Sequence, residues 1–304
     1  MTASIQEFQQ AGNRIFLQVA AIYLLMFACI LVVSNSEVDG NLTFVLLSLV
    51  GWVVIGWCQF ALFNALHEGL HMRFGNPHRE FPAWLLTAFP LGFDEAYRSF
   101  HLAHHKYFGD PVRDPDYANY ANFPKTRGEF ISRLLLNLCG WRALRQFFDI
   151  RRGLGNEERV NPAERYLPIR LLLTQGLILA LFSLTVGWFY YLWLWLIPLL
   201  TVAKFFTSTR TFCEHASPDN LAVIRTITGT FAGEKILGVF CFHYHAEHHR
   251  HVAIPCNRLA AAHAALQVLL YSNSEPGQPR YELFQQGYFR LLGNWYKDLP
   301  QRGV

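Results

Sequence analysis

Long uncharged apolar runs constrain this chain before anything else does. Residues 15–34 carry no charge, residues 43–66 carry none, and the run 167–207 is broken only by Arg170 and Lys204. A helix needs about 20 apolar residues to cross the hydrocarbon of a bilayer. The third run is long enough for two helices, joined tightly near Gly187–Trp188. The chain is therefore expected to span a membrane four times, at about 15–34, 43–66, 167–186 and 189–207. Residues 81–93, interrupted by Pro82 and Pro90, are apolar but too short to cross, and read as a re-entrant or interfacial segment. The first run is long for the apolar core of a signal peptide and no small-residue cleavage site follows it, so it is expected to be retained.

Basic residues orient the four spans. The segment 72–166 holds 14 Lys and Arg, and 204–304 holds 10. Ser34 to Gly40 holds none, and neither does the link between the third and fourth spans. The positive-inside rule then puts both termini and the large loop in the cytoplasm. The expectation is an all-α integral membrane protein, a single domain over 1–304, with a cytoplasmic cap made of 67–166 and 208–304. Only 16% of residues are charged, against about 25% in soluble domains. The net charge of +4 serves topology, and with no basic tract or RNA-binding aromatic motif it implies no nucleic acid. The six cysteines form no CxxC pair and none lies on the outer loops, which argues against disulfides and against a cysteine metal site.

Two helices are expected to outrun the membrane. From Asn41 to His71 only Gly51, Gly56 and Gly69 interrupt the helical pattern. At 1.5 Å per residue such a helix is roughly 45 Å long, more than the ~30 Å hydrocarbon core. The fourth, from about Tyr190, delivers Glu214 and His215 in the same way, with a kink expected at Pro198. Between the second and third spans, Ile131, Leu134, Leu135 and Leu138 recur at i, i+3, i+4 and i+7, with Arg133, Arg142 and Arg145 interleaved. That is an amphipathic helix, made either for the membrane surface or for the inside of the cap.

The protruding ends carry a second pattern. His67-Glu-Gly-Leu-His71, His101-Leu-Ala-His104-His105 and His245-Ala-Glu-His248-His249 each place two or three imidazoles on one helix face. Neutral imidazole suits iron, zinc, copper and nickel. Eight imidazoles exceed the four positions of one zinc, so the boxes imply two metals. With open positions, such a centre does oxygen chemistry on something lodged in a membrane. The first box also spells HExxH, the zinc metalloprotease signature with Glu68 as base, but an intramembrane protease leaves the other two boxes idle. A histidine-lined metal transporter needs ionisable residues along its path through the spans, and the central apolar runs contain no His, Asp or Glu.

His243 and His251 lie beside the third box but outside its ligand spacing, while His78 and His263 are isolated and read as structural. Glu68, Glu214 and Glu247 each adjoin a candidate ligand. A ligating imidazole commonly donates its other N–H to a carboxylate; the alternative is an ordinary surface ion pair with Arg73, Arg210 or Arg250. The run Asp110-Pro-Val-Arg-Asp-Pro-Asp116 is rich in turn residues and reads equally well as a plain loop.

Several details go together with the order HxxxH, HxxHH, HxxHH. His104-His-Lys-Tyr-Phe-Gly-Asp-Pro111 is followed by Asp114-Pro-Asp116, and Tyr244-His-Ala-Glu-His-His249 by Ile254-Pro255 and Arg258-Leu259. In these the chain resembles the membrane fatty acid desaturase superfamily, over roughly Leu66 to His263. The resemblance implies a non-haem centre of two iron ions in a cap above a four-helix stem. O2 is the co-substrate, reduced with two electrons from an external donor of ferredoxin, rubredoxin or cytochrome b5 type, and a C–H bond of a lipid or acyl substrate is broken. The implied activity is desaturation of an acyl chain or, on the same scaffold, hydroxylation or a related oxidation of an acyl chain, alkane or specialised metabolite.

Family members often use one more histidine at the cytoplasmic end of the fourth helix, a position that His215 matches. The implied metal ligands are His67, His71, His101, His104, His105, His215, His245, His248 and His249, with Glu68, Glu214, Glu247 and His243 around them. Many desaturases carry Asn where this chain has His243, a departure close to one iron site. Trp52, Trp57, Phe60, Phe63, Trp193 and Trp195 are candidates for the walls of a dry substrate channel, dry because water diverts a strong oxidant.

Overall fold

The computed structural model describes residues 14–36, 41–71, 95–145, 167–272 and 279–301. The apolar segment 81–93, Arg73 and His78 lie outside the described residues. In chain order the helices are α1 (Arg14–Asn35), α2 (Asn41–Leu70), α3 (Glu95–Tyr107), α4 (Tyr117–Tyr120), α5 (Arg127–Leu138) and α6 (Leu167–Thr185). There follow α7 (Trp188–His215), α8 (Phe231–Ile236), α9 (His245–Arg250), α10 (Cys256–Ser272) and α11 (Tyr288–Asp298). Strands β1 (Val223–Ile227) and β2 (Arg280–Phe284) pair in parallel, Val223 opposite Arg280 and Ile227 opposite Phe284.

Among the described residues three helices are long and apolar enough to cross a membrane: Ile15–Asn35, Leu42–Leu70 and Trp188–His215. The apolar part of α6, Leu171–Thr185, is shorter. These helices turn many of their leucines outward. Leu17, Leu24, Leu42, Leu172 and Leu184 are exposed, the reverse of a water-soluble bundle. Inside, Val19, Met26 and Val33 of α1 join Ile55, Leu62 and Leu66 of α2 in one core. Gly56 lets α2 approach α7, since a Cβ there would lie 2.5 Å from the Cβ of Val202. The Gly187 N–H closes the turn between α6 and α7 on the Phe182 carbonyl at 2.7 Å, and Tyr190 Oη donates to the Ser34 carbonyl at 3.2 Å. The end of α1 and the start of α7 therefore share one end of the stem, and all the histidine boxes lie towards the other.

The expected kink at Pro198 takes a different form. α7 is wound as a π-helix over Tyr191–Leu196 and again over Leu199–Ala203, on either side of the proline. Proline has no N–H to give the α-helical ladder, and the wider π turns, rare in helices generally, flank that defect here. Gln59 Nε2 of α2 donates to the Trp195 carbonyl at 2.9 Å in this stretch. α2, by contrast, runs unbroken for 30 residues and ends beside the first histidine box, as its length predicts.

Beyond the helix ends lies a second core of Tyr120, Phe123, Phe130, Phe212, Ile227, Tyr288, Leu291 and Trp295. The strand pair belongs to this head and corrects the all-α expectation, which holds for most of the chain only. The residues Val-Ile-Arg-Thr-Ile of β1 are buried at all five positions. A strand covered on both faces shows no apolar–polar alternation, so only its β-branched content marks it.

Candidate metal centre

The two cores meet at the histidines. His67 sits on the last turn of α2 and His71 just beyond it; His101, His104 and His105 lie on α3; His215 ends α7; His245, His248 and His249 lie on α9. Phe242, from the stem core, packs edge-on against His67 at 4.4 Å between ring centres. Phe108, packed on the head core, lies 4.7 Å from His215. Arg98 Nε binds the Leu70 carbonyl at 2.7 Å and so docks α3 on the end of α2.

Two groups emerge. One ring nitrogen each from His67, His71, His101, His105 and His248 lie within 4.8 Å of one another, and so do nitrogens of His104, His215 and His249. His245 belongs to neither group by this measure, yet its Nε2 lies 2.9 Å from His215 Nε2. All nine histidines singled out in the sequence thus share one site, from four separate helices.

The nitrogens behave as a donor set for cations. Nε2 atoms approach one another at 2.7 Å (His71 and His101), 3.0 Å (His105 and His101) and 3.3 Å (His248 and His105). Both nitrogens of His67, Nδ1 of His105, Nδ1 of His245 and Nε2 of His249 are buried without a hydrogen-bond partner. An unpaired buried polar atom costs about 1–3 kcal/mol, which a coordinated metal ion would remove. Burial, reinforced by neighbouring histidines, holds the imidazoles of His101, His245, His248 and His249 well below their ordinary pKa, and that of His105 down to about 2. They are neutral, which is the form that ligates. The residues fit metal ions.

His104 is different. Burial pulls its pKa down, but the hydrogen bond to Asp114 and the charges of Asp116 and Asp114 outweigh this and raise it. Its Nδ1 lies 2.9 Å from Asp114 Oδ1. Asp114 in turn accepts from the Gly109 N–H at 3.1 Å, the Asp116 N–H at 2.9 Å and the hydroxyl of Tyr120. Burial pushes the Asp114 carboxyl up, yet the hydrogen bonds from His104, Tyr120 and Asp116 win and keep it ionised. With Nδ1 so engaged, Nε2 of His104 is left for the cluster. His215 uses a carbonyl for the same purpose, its Nδ1 lying 3.2 Å from Val223 O. Arg225 on β1 binds the carbonyls of Cys213 and Ala216 and thereby caps the end of α7.

The glutamates next to the boxes are placed otherwise. Glu68 lies 3.9 Å from His67 Nδ1 and instead accepts the Cys256 N–H at 2.9 Å. Glu214 lies 3.7 Å from His245 Nε2, accepts from Tyr288 Oη at 3.1 Å and pairs with Arg210 at 3.2 Å. This pair is buried, not a surface one. Glu247 accepts from Thr226, from His263 Nδ1 at 2.6 Å and from Tyr271 Oη at 2.7 Å. It ties the short α9 to β1 and α10, and His263 is its partner rather than an isolated residue. His243 faces the Gly238 carbonyl at 3.2 Å and its ring lies 4.2 Å from that of Tyr244.

The carboxylate that sequence reading passed over is Asp114. Its signal was present, an acidic turn nine residues past the second box, but it reads as a loop until the chain is seen to fold back. Of the aromatic channel candidates, Trp57 Nε1 donates to the Ile236 carbonyl at 3.1 Å, Trp193 to Ser48 at 2.9 Å and Trp195 to Gln175 at 3.1 Å. Phe60 stacks on Phe206 with ring centres 5.6 Å apart, and Trp52 packs edge-on against Trp193 at 4.6 Å. Phe63 is partly buried against the stem core.

The profile of a family described as fatty acid desaturase matches residues 44–299. No curated protein matches the chain.

Proposed function

The chain belongs to the fatty acid desaturase family, and from that premise we propose that it is an oxygen-dependent membrane desaturase that introduces a double bond into an acyl chain at a di-iron centre. The observation that carries the reading is the convergence of histidines from α2, α3, α7 and α9 into groups of five and three with ligand atoms within 4.8 Å. His67, His71, His101, His105 and His248 would hold one ion. His104, His215 and His249 would hold the other, with His245 beside them. When bound, two iron ions supply the activation of O2 that lets an unactivated C–H bond be broken.

The chain's own residues do the rest. Burial keeps the imidazoles of His101, His105, His245, His248 and His249 neutral, so lone pairs rather than protons face the site. Asp114 and the Val223 carbonyl fix the tautomers of His104 and His215, the role such partners play around metal ligands. Phe242 and Phe108 pack against the histidine rings and help keep water away. α2 and α7 carry their ligands past the bilayer, so that an acyl chain in the membrane meets the site at its surface. We read α6 as the fourth crossing and, from the Lys and Arg distribution, place both termini and the site in the cytoplasm. There an external electron donor of ferredoxin, rubredoxin or cytochrome b5 type can dock.

Hydroxylation on the same scaffold is the second reading, because both reactions begin by removing a hydrogen atom. The test is product analysis of the purified protein with iron, O2 and a reductase system. A product lighter by two hydrogens supports desaturation; one heavier by an oxygen supports hydroxylation. Peptide cleavage without O2 consumption would overturn both in favour of the HExxH protease reading. Sustained turnover without any reductase would refute the external donor.

A further inference from the structure

Helix α5 buries Phe130 and Arg133 on one face and turns an aliphatic face outward. Its cation points in: Arg133 is buried, donates to the carbonyls of Asn119, Ala121 and Asn122, and stacks its guanidinium on Phe212 at 4.4 Å. Phe130 and Leu134 pack inward on the head core, but the opposite face is apolar as well: Ile131, Leu135 and Leu138 are 42%, 57% and 42% exposed, and Trp141 and Leu144 beyond the helix end are 57% and 46% exposed. The outer face forms an open groove of about 450 Å³, lined by Ile131, Leu135, Leu136 and Leu138 together with Gly128, Ser132 and Cys139. The helix itself is well specified, since Thr126 caps it by accepting the Glu129 N–H at 3.2 Å. Outward leucines are therefore a property of a stable element.

What covers this face follows from where it lies. Gly140, with φ +77°, brings the end of α5 against the spanning helix α7, so closely that a Cβ would lie 3.3 Å from the Leu200 carbonyl. Leu200 belongs to the apolar stretch of α7, well before its polar end at Lys204–His215. The helix therefore meets the stem at the end of the apolar stretch of α7, and its exposed aliphatic face starts there. Arg142 and Arg145 follow at the same end of the helix, a basic margin suited to anionic headgroups. We propose that α5 lies in the plane of the bilayer, its Ile131–Leu135–Leu138 face among the acyl chains of the leaflet on the histidine side.

Seating α5 there braces the centre. Arg133 holds the carbonyls of 119–122, Tyr120 in that segment holds Asp114, and Asp114 holds His104. The bilayer is thus mechanically linked to one histidine of the three-histidine group. The proposal rests on reading α7 as a spanning helix, and its test separates the two.

A photo-crosslinking benzophenone amino acid is placed in the full chain at Leu135, at Leu177 on the outer face of α6, or at Leu221 on the exposed head, and irradiated in phospholipid membranes. Leu135 and Leu177 should both capture phospholipid, and Leu221 should not. Capture at Leu177 but not at Leu135 overturns the proposal alone; capture at neither overturns the spanning reading as well. A crosslink from Leu135 to a second copy or to another protein also overturns it. The brace is read by amide exchange of residues 117–122 in nanodiscs. Leu135→Asp should speed that exchange while Leu135→Met leaves it unchanged, and equal exchange in both variants would refute the link.

Discussion

The two histidine groups use the same side chain and hold it in different ways. In the five-histidine group, His67 has no hydrogen bond on either nitrogen and His105 has none on Nδ1. Here aim comes from packing. The His67 ring sits 4.4 Å from Phe242, 4.2 Å from His101 and 4.5 Å from His248, on the end of a long rigid helix. In the three-histidine group, His104 and His215 are aimed by the hydrogen bonds they donate to Asp114 and the Val223 carbonyl, although Nε2 of His249 has no partner. The difference follows from what lies behind each ring. Beside His67 stand Phe242 and other histidines, with the nearest carboxylate, Glu68, 3.9 Å away, while beside His104 and His215 a turn and a strand bring acceptors within 2.9 and 3.2 Å. One group should be sensitive to shape, the other to polarity.

The largest effects should come from removing a histidine of either group. His67→Ala and His215→Ala are each expected to lower bound iron and to abolish turnover while the protein still inserts and folds. For His215 there is a sharp alternative, a helix-end histidine that merely favours the C-terminal dipole. Removing that would cost about 1 kcal/mol and leave activity largely intact. Metal analysis of the purified variants decides. Full iron content in His215→Ala would take it out of the site and leave the three-histidine group incomplete.

The comparison itself is tested by exchanging the kinds of perturbation. Asp114→Asn should cost about 10–100-fold in metal affinity or activity, the usual range for a partner of a metal-bound histidine. Glu68→Gln should do much less, since Glu68 stands 3.9 Å from His67 Nδ1 and serves the Cys256 N–H instead. Phe242→Leu should lower metal affinity at the five-histidine group several-fold by loosening His67. Isothermal titration with ferrous ion under anaerobic conditions measures all three. Equal losses in Asp114→Asn and Glu68→Gln would mean that both groups are tuned by carboxylates and that the contrast is wrong.

How legible this was in the sequence depends on the range of each interaction. Helix spacing within a box is local, so eight converging histidines could be picked out from three short segments, while His215 was singled out only by the family resemblance, and the length of α2 placed its box beyond the stem. The partners of those histidines could not be found by adjacency. Successive helix residues point about 100° apart, so Glu68 and Glu247 cannot share a direction with the histidine beside them. The residues that do reach, Asp114 for His104 and Val223 for His215, come from a turn that folds back and from a strand. β1 itself was invisible because all five of its residues are buried. Pro198 was flagged as a kink, but that it would be absorbed by two π-helical stretches depends on how α7 packs against α2.

A smaller effect is expected from the buried network around Glu247. It holds α9 through Thr226, His263 and Tyr271 without touching a ring of either group. His263→Ala leaves the carboxylate with two of its three side-chain partners, and the lost hydrogen bond to a charged group is worth about 1.5–3 kcal/mol. Thermal melting should show the loss. Iron content should stay close to that of the unaltered protein, because α9 remains tied at Thr226 and Tyr271. A selective loss of iron would mean that His263 acts on the metal centre rather than on the fold.

The smallest change in chemistry should come from His243, which like His251 lies beside the third box with a role the sequence leaves open. It is buried, 8% exposed, yet it belongs to neither group. Its Nδ1 faces the Gly238 carbonyl at 3.2 Å and its ring lies against Tyr244. Those contacts shape the turn before α9, where Phe240 and Cys241 adopt positive φ of 60° and 61°. Removing a buried ring with one hydrogen bond falls in the usual range of about 0.5–3 kcal/mol. His243→Ala should therefore lower the melting temperature but keep both irons and nearly full activity. His243→Asn, which retains a donor for Gly238, should recover part of the stability. If His243→Ala instead loses one iron while its melting temperature holds, then His243 is a ligand and the boundary between site and scaffold runs outside it.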